Sequence, residues 1–246
     1  MKTPLLAAAF AALTLPAHAL DLNKMTAEER TIFREEVRAY LLDNPEVIME
    51  AVAVLEQRQV AGQAAEDIQL VAVNSEDIFN DGYSYVGGNP NGDITLVEFV
   101  DYRCGYCRRA HDEVKELLAS DGNIRMIVKE FPILGEASDQ SSRFAIAVKQ
   151  LVGGEAYAAA GDALISMRSD ANEKTLKRLA KSLGLDSDAI IAHMNSDEVS
   201  QEIAETRALA QRLQITGTPT FVVQDDMLRG YLPLADMRQL VAQKRG

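Results

Sequence analysis

Cysteine is scarce in this 246-residue sequence: there are two, which excludes a disulfide-stapled scaffold and a four-cysteine zinc site. Positive charge is short as well. Lys and Arg total 25 against 37 Asp and Glu, a net charge of −12 with an isoelectric point near 4.8. Nucleic acid is therefore excluded as a partner, since phosphate binding runs on clustered cations. Long apolar runs are lacking too: beyond residue 19 no stretch reaches the ~18 residues a membrane span needs. What remains is 47% apolar and 25% charged, a globular balance that rules out collagen, wholesale disorder and a multi-span membrane protein.

The first nineteen residues read as an address. Lys2 supplies a positive start, Leu5 to Leu15 is an almost unbroken apolar run, and Pro16 precedes Ala17-His18-Ala19, a small-x-small cleavage site. This is the tripartite secretory signal, with cleavage expected after Ala19. Its consequence is a mature protein outside the cytosol, where cysteines are held oxidised.

Two parts follow. Residues 20–75 carry helical patterns. Thr26 with Glu29 forms a capping box, and Ile32, Phe33, Val37, Tyr40 and Leu41 recur at helical spacing. Asp43-Asn44-Pro45 stops and restarts the chain. The helix from Glu46 to Leu55 is apolar nearly all round, then polar through Gln59. Such coverage demands burial on more than one side, and a subunit interface is the expected solution. Residues 76–246 have a different texture. Gly87 to Asp93 is dense turn chemistry. Ile94–Val100 reads as a buried strand, a helix starts near Cys104, and Ile124–Phe131 is a second strand, so the pair is predicted to be parallel. From about 137 to 213 only helical signals occur, in four or five pieces. Thr220–Val223 is a third strand, Arg229-Gly230-Tyr231 belongs to a fourth, antiparallel one, and Leu234–Gln243 closes the chain as a helix.

The chemistry sits at Cys104-Gly105-Tyr106-Cys107, where strand gives way to helix. There the unpaired amides and the positive helix end favour a thiolate. Cys104 is assigned as the exposed nucleophile that forms a mixed disulfide. Cys107, one turn on and more buried, is the thiol that resolves it. Arg103, Arg108 and Arg109 add positive charge around the sulfur. Glu98, six residues before Cys104, is a carboxylate in an apolar strand, costly unless it does proton work. Its expected role is to exchange a proton with Cys107 through water. Pro219, after Thr218 at a strand start, is where a cis bond leaves neighbouring backbone free to pair with an extended substrate.

In this order, from about Tyr83 to Gly246, the chain resembles the DsbA-like thioredoxin-fold oxidoreductases of the periplasm. The resemblance rests on Val97-Glu98-Phe99, Cys104-Gly105-Tyr106-Cys107 and Thr218-Pro219 together. It implies an α/β thioredoxin fold with an inserted helical domain, and a cis bond at Pro219. It also implies substrate contacts at Thr218 and Tyr106 and no cofactor beyond the thiols. Val37-Arg-Ala-Tyr-Leu-Leu-Asp-Asn-Pro-Glu-Val47 is similar to the start of the ScsC (suppressor of copper sensitivity) proteins, some of them oligomeric. The strong oxidases of the family carry Cys-Pro-His-Cys and a Val before the cis proline. Gly105-Tyr106 and Thr218 are instead what the periplasmic disulfide isomerases have. A less oxidising couple follows, with isomerase or reductase work ahead of dithiol oxidation. Unfolded or misfolded secreted proteins are the implied substrates, a membrane partner resets the cysteines, and the assembly is a dimer or trimer.

Two thiolates would also hold Cu(I) linearly, or Zn(II), so a copper-binding thiol protein is the competing class. Against it, the strand–helix placement and Pro219 are wasted on a simple carrier. His111, one turn beyond Cys107, is read as structural rather than as a ligand, His193 as a surface residue, and the scattered Met residues as core filler.

Overall fold

The computed structural model describes residues 24–246, and the signal read at residues 1–19 lies outside them. The chain divides into two compact units, up to Gln59 and from Val60 onward.

The first unit is helical. Thr26 caps α1 (Ala27–Asp43) through the reciprocal box with Glu29: Glu29 N–H donates to Thr26 Oγ1 at 3.2 Å, and Thr26 N–H donates to Glu29 Oε2 at 2.8 Å. No residue of α1 is buried. Helix α2 runs Glu46–Val73, continuing through the polar turn at Glu56–Gln59. Its buried residues, Asp67 and Val71, both belong to the second unit. That division therefore falls before the change of texture at Ser75. Arg229 grips Asp67 at 2.7 Å, and Val71 enters the core beside Ile78 of α3 (Ser75–Phe79).

In the second unit five strands form one sheet, β1 (Tyr85–Gly88), β2 (Ile94–Val100), β3 (Ile124–Glu130), β4 (Thr220–Val223) and β5 (Asp226–Arg229), in the order β1-β3-β2-β4-β5. β2 and β3 pair in parallel over their full length, Ile94 opposite Ile124 and Val100 opposite Glu130, as the strand–helix–strand pattern predicts. The other pairings are antiparallel. β1 was not expected: its Gly87-Gly88 reads as turn chemistry. Gly88 has φ +65°, and a Cβ there would sit 2.4 Å from the Ile124 carbonyl, so glycine lets this edge strand close on β3.

Alternation along the strands sorts the core onto two faces. Val97, Phe99 and Ile127 pack with Val71, Ile78 and Leu209 of α9 (Asp197–Arg212). Ile94, Leu96, Ile124 and Met126 pack with Val114 and Leu117 of α4 (Gly105–Asp121) and Met237 of α10 (Leu234–Arg245). Each such side chain contributes roughly 1.5–3 kcal/mol on burial. Between β3 and β4 lie α5 (Glu136–Val152), α6 (Gly154–Ser166), α7 (Glu173–Ser182), α8 (Ser187–His193) and α9, the expected helical insertion in five pieces. α5 to α8 build their own cluster around Phe144, Leu164 and Leu176, which reaches Tyr102, Cys104 and Cys107. The dithiol corner thus lies where sheet and insertion meet.

Candidate functional site, a dithiol at a helix start

β2 ends in a short loop whose shape is set by Asp101. Its side chain is fully buried. Oδ1 accepts the Arg103 N–H at 2.8 Å, and Oδ2 accepts the N–H groups of Ile133 and Leu134 at 2.9 and 3.1 Å. One carboxylate thereby ties the loop before the cysteines to the loop after β3. The Asp101 carbonyl also accepts the Cys104 N–H at 3.0 Å. Cys104 is the N-cap of α4, and its own carbonyl accepts the first helical bond from Arg108. No side chain caps this helix start, so its positive end is directed at the dithiol.

Both thiols are free. Cys104 is more accessible than Cys107, 8% against 1%, but both are covered, which corrects the expectation of an exposed nucleophile. The cover over Cys104 includes the chain across the cleft: its thiol donates to the Thr218 carbonyl at 3.1 Å. The Thr218–Pro219 bond is cis, and Pro219 is buried. The structure therefore brings Cys104, Cys107, Thr218 and Pro219 to one corner. Tyr106 points outward, 62% exposed, its ring stacked 6.3 Å from Tyr231. Arg109 lies over the other aromatic of that pair, 4.5 Å from the Tyr231 ring centre. Arg103 and Arg108 bond carbonyls at and just after the end of α6: Arg108 Nε to Ile165 at 2.8 Å, Arg103 Nη1 to Met167 and Ser169 at 3.1 Å each.

Glu98 is buried in β2, 6% exposed, within the influence of Cys107. Burial first, and then the Glu130 carboxyl, push Glu98 up to about 8, so it enters neutral pH as a carboxylic acid. Burial and the Glu98 charge push Cys107 well above the ordinary thiol range. Burial of both groups, with the Glu98 charge acting on Cys107 and the Glu130 charge acting on Glu98, thus favours the protonated form of each through neutral pH. Glu98 also borders a mostly apolar cavity of about 210 Å³ between the sheet, α4 and α6, shared with Tyr102, Tyr157 and His111. His111 itself meets Asp162 of α6 at 2.8 Å, a structural contact. His193 bonds Gln150. Among the described residues no three His, Cys, Asp or Glu side chains converge as a metal site.

Sequence reasoning missed Asp101 and Glu130. Asp101 carried a usable signal, an acid directly after an apolar strand and three residues before the dithiol. Glu130 sits opposite Val100 at the end of β3 and acquires its partners, Tyr102 and Tyr157, only through the fold.

A parallel β–α–β unit with two thiols at the helix start, faced by a cis-proline loop, defines a thioredoxin-type dithiol protein. The comparisons with known proteins agree. Residues 95–242 match the DSBA-like thioredoxin domain, and the chain belongs to that family of thiol–disulfide oxidoreductases. Residues 29–61 match the N-terminal domain of the copper resistance protein ScsC. A thioredoxin-like oxidoreductase from Silicibacter pomeroyi is 42% identical, with a TM-score of 0.65, over 70% of this chain and 98% of that one. The thiol-disulfide exchange protein alpha-DsbA2 of Wolbachia pipientis is 30% identical, with a TM-score of 0.68, over 73% and 98%. A Na(+)/H(+) antiporter, NhaA 3 of Salinispora tropica, is 28% identical over 139 residues, 56% of this chain. The chain spans about a fifth of that antiporter (21%). No helix among the described residues is long and apolar enough to cross a membrane.

Proposed function

We propose that this protein exchanges disulfides in secreted proteins in the periplasm, acting as an isomerase or reductase ahead of an oxidase. The observation that carries the reading is the Cys104 thiol held against the Thr218 carbonyl at 3.1 Å, at the uncapped start of α4. A substrate strand that pairs with the backbone around Thr218 brings its sulfur to Cys104, in the manner of an added β-strand. Cys104 attacks and forms the mixed disulfide. Cys107 gives its proton to ionised Glu98 and expels the substrate thiol, or, in the opposite direction, leaves as a thiolate and takes the proton from Glu98. Gly105 and Tyr106 supply no imidazole beside the thiolate, which supports a couple less oxidising than that of a strong oxidase.

Assembly supports the same reading. Ile32, Phe33, Val37, Tyr40 and Leu42 of α1, and Ile48, Met49, Val52, Val54 and Leu55 of α2, are all exposed. So many exposed large apolar side chains on two adjoining helices call for a partner, and copies of the same segment are the simplest one, giving a dimer or trimer. Several dithiols would then face one substrate, which suits repeated attack on wrong pairings. The likeness of residues 29–61 to the ScsC N-terminal domain points the same way, and the signal at residues 1–19 supplies the route of export. Unfolded or misfolded secreted chains are the substrates, and a membrane reductant returns the cysteines to the dithiol. Reactivation of scrambled ribonuclease, alongside the reduction potential of the Cys104–Cys107 couple, tests the reading. Oxidation of reduced ribonuclease without reactivation of the scrambled form would replace it with a DsbA-type oxidase. Tight copper binding with neither activity would replace it with a carrier.

A further inference from the structure

Glu130 is a buried carboxylate that the exchange chemistry above leaves unused. It ends β3, 2% exposed, on the sheet face that also carries Glu98. In the parallel register Glu98 stands opposite Val128 and Glu130 opposite Val100, so the two carboxyls occupy neighbouring rows of one face, two residues apart along the strand. Tyr102, from the loop before the dithiol, donates to Glu130 Oε1 at 2.7 Å, and Tyr157 of α6 donates to the same oxygen at 2.5 Å. Glu130 Oε2 is buried without a partner, as is the Ser142 hydroxyl of α5.

Among the described residues no cation bonds either carboxyl, although the charge of Lys149 is felt at Glu130. On α4, His111 and Lys115 both bond Asp162 of α6, at 2.8 and 2.7 Å. Lys149 of α5 bonds Glu202 and the Tyr83 carbonyl. Lys129, although it neighbours Glu130 in sequence, points to the opposite face and bonds Asp81 and the Asp77 carbonyl. β1 contributes Tyr85, stacked on Tyr157, and α4 contributes Cys107. Two neighbouring buried carboxyls with no directly bonded cation do not both ionise near neutrality. Two hydroxyl donors on Glu130 stabilise its charged form, and Glu98 has no such donors.

We propose that Glu130 is a positioning residue of the dithiol site: it holds the single negative charge of a Glu98–Glu130 pair on the hydroxyls of Tyr102 and Tyr157, and so keeps the proton on Glu98. Glu98 then meets Cys107 as an acid, and Glu130 sets the pH at which it becomes a base. This rests on the thiol-exchange reading for its use. When a substrate thiolate attacks Cys104 of the disulfide form, the Cys104–Cys107 bond breaks, the substrate sulfur is oxidised into the mixed disulfide, and Cys107 leaves as a reduced thiolate. The Glu98 proton passes to Cys107, leaving the Glu98 carboxylate. Resolution by Cys107 runs the same proton back. A pair biased toward protonated Glu98 makes resolution slow below its titration and so prolongs the mixed disulfide, the state an isomerase needs. Burial raises Glu130 to about 7 against the lowering by the hydroxyls of Tyr157, Tyr102 and Ser142 and by the Lys149 charge, which leaves it the more acidic carboxyl of the pair.

The test is a carbon-13 carboxyl titration by NMR of the full mature chain with Glu labelled and both cysteines reduced. Glu98→Gln identifies the Glu98 signal. In Glu130→Gln, which keeps an acceptor for the tyrosines and removes the charge, the Glu98 midpoint is expected to fall by about one pH unit or more. It stops short of the ordinary carboxylate range because burial remains. In Tyr157→Phe, which retains both carboxyls, part of the charge passes to Glu98 and its midpoint falls in the same direction by less. A Glu98 midpoint that stays put in folded Glu130→Gln overturns the proposal, and if that variant does not fold, an unmoved midpoint in Tyr157→Phe overturns it. A merely structural Glu130 would cost stability in both variants and move neither midpoint. Mixed-disulfide formation at Cys104, assayed on the same samples, reports separately on the exchange reading: its absence in the wild type would sink that reading while the titration still decides the pair.

Discussion

Replacing Glu98 by Gln should make the protein more stable, by an amount that depends on pH. The carboxyl sits at about 8 in the folded state against 4.5 when free. Below pH 4.5 folded and unfolded chains both carry the proton, and the residue costs nothing. Between there and about pH 8 the unfolded chain ionises while the folded one does not, so stability falls with rising pH at up to about 1.4 kcal/mol per pH unit. Above the folded value the loss levels off at roughly 5 kcal/mol. Gln has the same shape and no proton to lose. Glu98→Gln should therefore unfold near the wild-type denaturant concentration at pH 4, and be several kcal/mol more stable than the wild type at pH 8.5. Urea unfolding of the reduced chain at both values, followed by far-ultraviolet circular dichroism, reads the difference. A stability gain independent of pH, or none at pH 8.5, would refute the reasoning and return Glu98 to a solvated or ion-paired setting.

Other perturbations follow from the same geometry. Cys104→Ser should abolish the mixed disulfide and Cys107→Ser should accumulate it on non-reducing gels, because resolution needs the second thiol; equal trapping by both variants would undo the division of labour. Glu98→Gln should also slow release of the mixed disulfide more than its formation in stopped-flow exchange, a preference that would disappear if Cys107 gave its proton to bulk water. Asp101→Ala removes the fully buried carboxylate that accepts the N–H groups of Arg103, Ile133 and Leu134, so chemical denaturation should show a loss of about 1–3 kcal/mol, and an unchanged stability would mean that water replaces the carboxylate. Deleting residues 20–59 should give a monomer by light scattering that keeps dithiol exchange and loses reactivation of scrambled ribonuclease; a full-length chain that is itself monomeric would remove the assembly argument.

The dithiol corner was legible because its signals are local. Ile94–Val100 is β-branched and aromatic, Cys104 follows its end, and the two thiols lie one turn apart, so spacing alone places strand, helix start and both thiols. The Thr26 capping box is equally self-contained. β1 was hidden because four residues ending in Gly87-Gly88 satisfy turn rules, and only β3, some forty residues on, makes them a strand. The length of α2 was hidden because its polar stretch at Glu56–Gln59 resembles an ending, and its only buried contacts come later, at Asp67 and Val71. Glu130 was illegible for a different reason. Its significance depends on Tyr157 arriving from α6, 27 residues away, with nothing in the periodicity of either segment to announce the meeting.

The bonds from Arg103 and Arg108 to the end of α6 have an evolutionary consequence. Every hydrogen-bond acceptor there is a main-chain carbonyl, belonging to Ile165, Met167 or Ser169, with an exposed ion pair from Arg103 to Asp170 at 3.6 Å beside them. Substitution at these three positions leaves the carbonyl in place, whereas losing either guanidinium unlatches the helical insertion from the segment that bears the cysteines. Tolerance to change is therefore one-sided. Ser169, exposed, is free to drift in side-chain identity but not in backbone path, Ile165 and Met167 are held apolar by the core they pack in, and the two arginines flanking the dithiol are pinned. A library randomised over both segments should recover functional clones with varied residues at 169, apolar ones at 165 and 167, and arginine retained at 103 and 108.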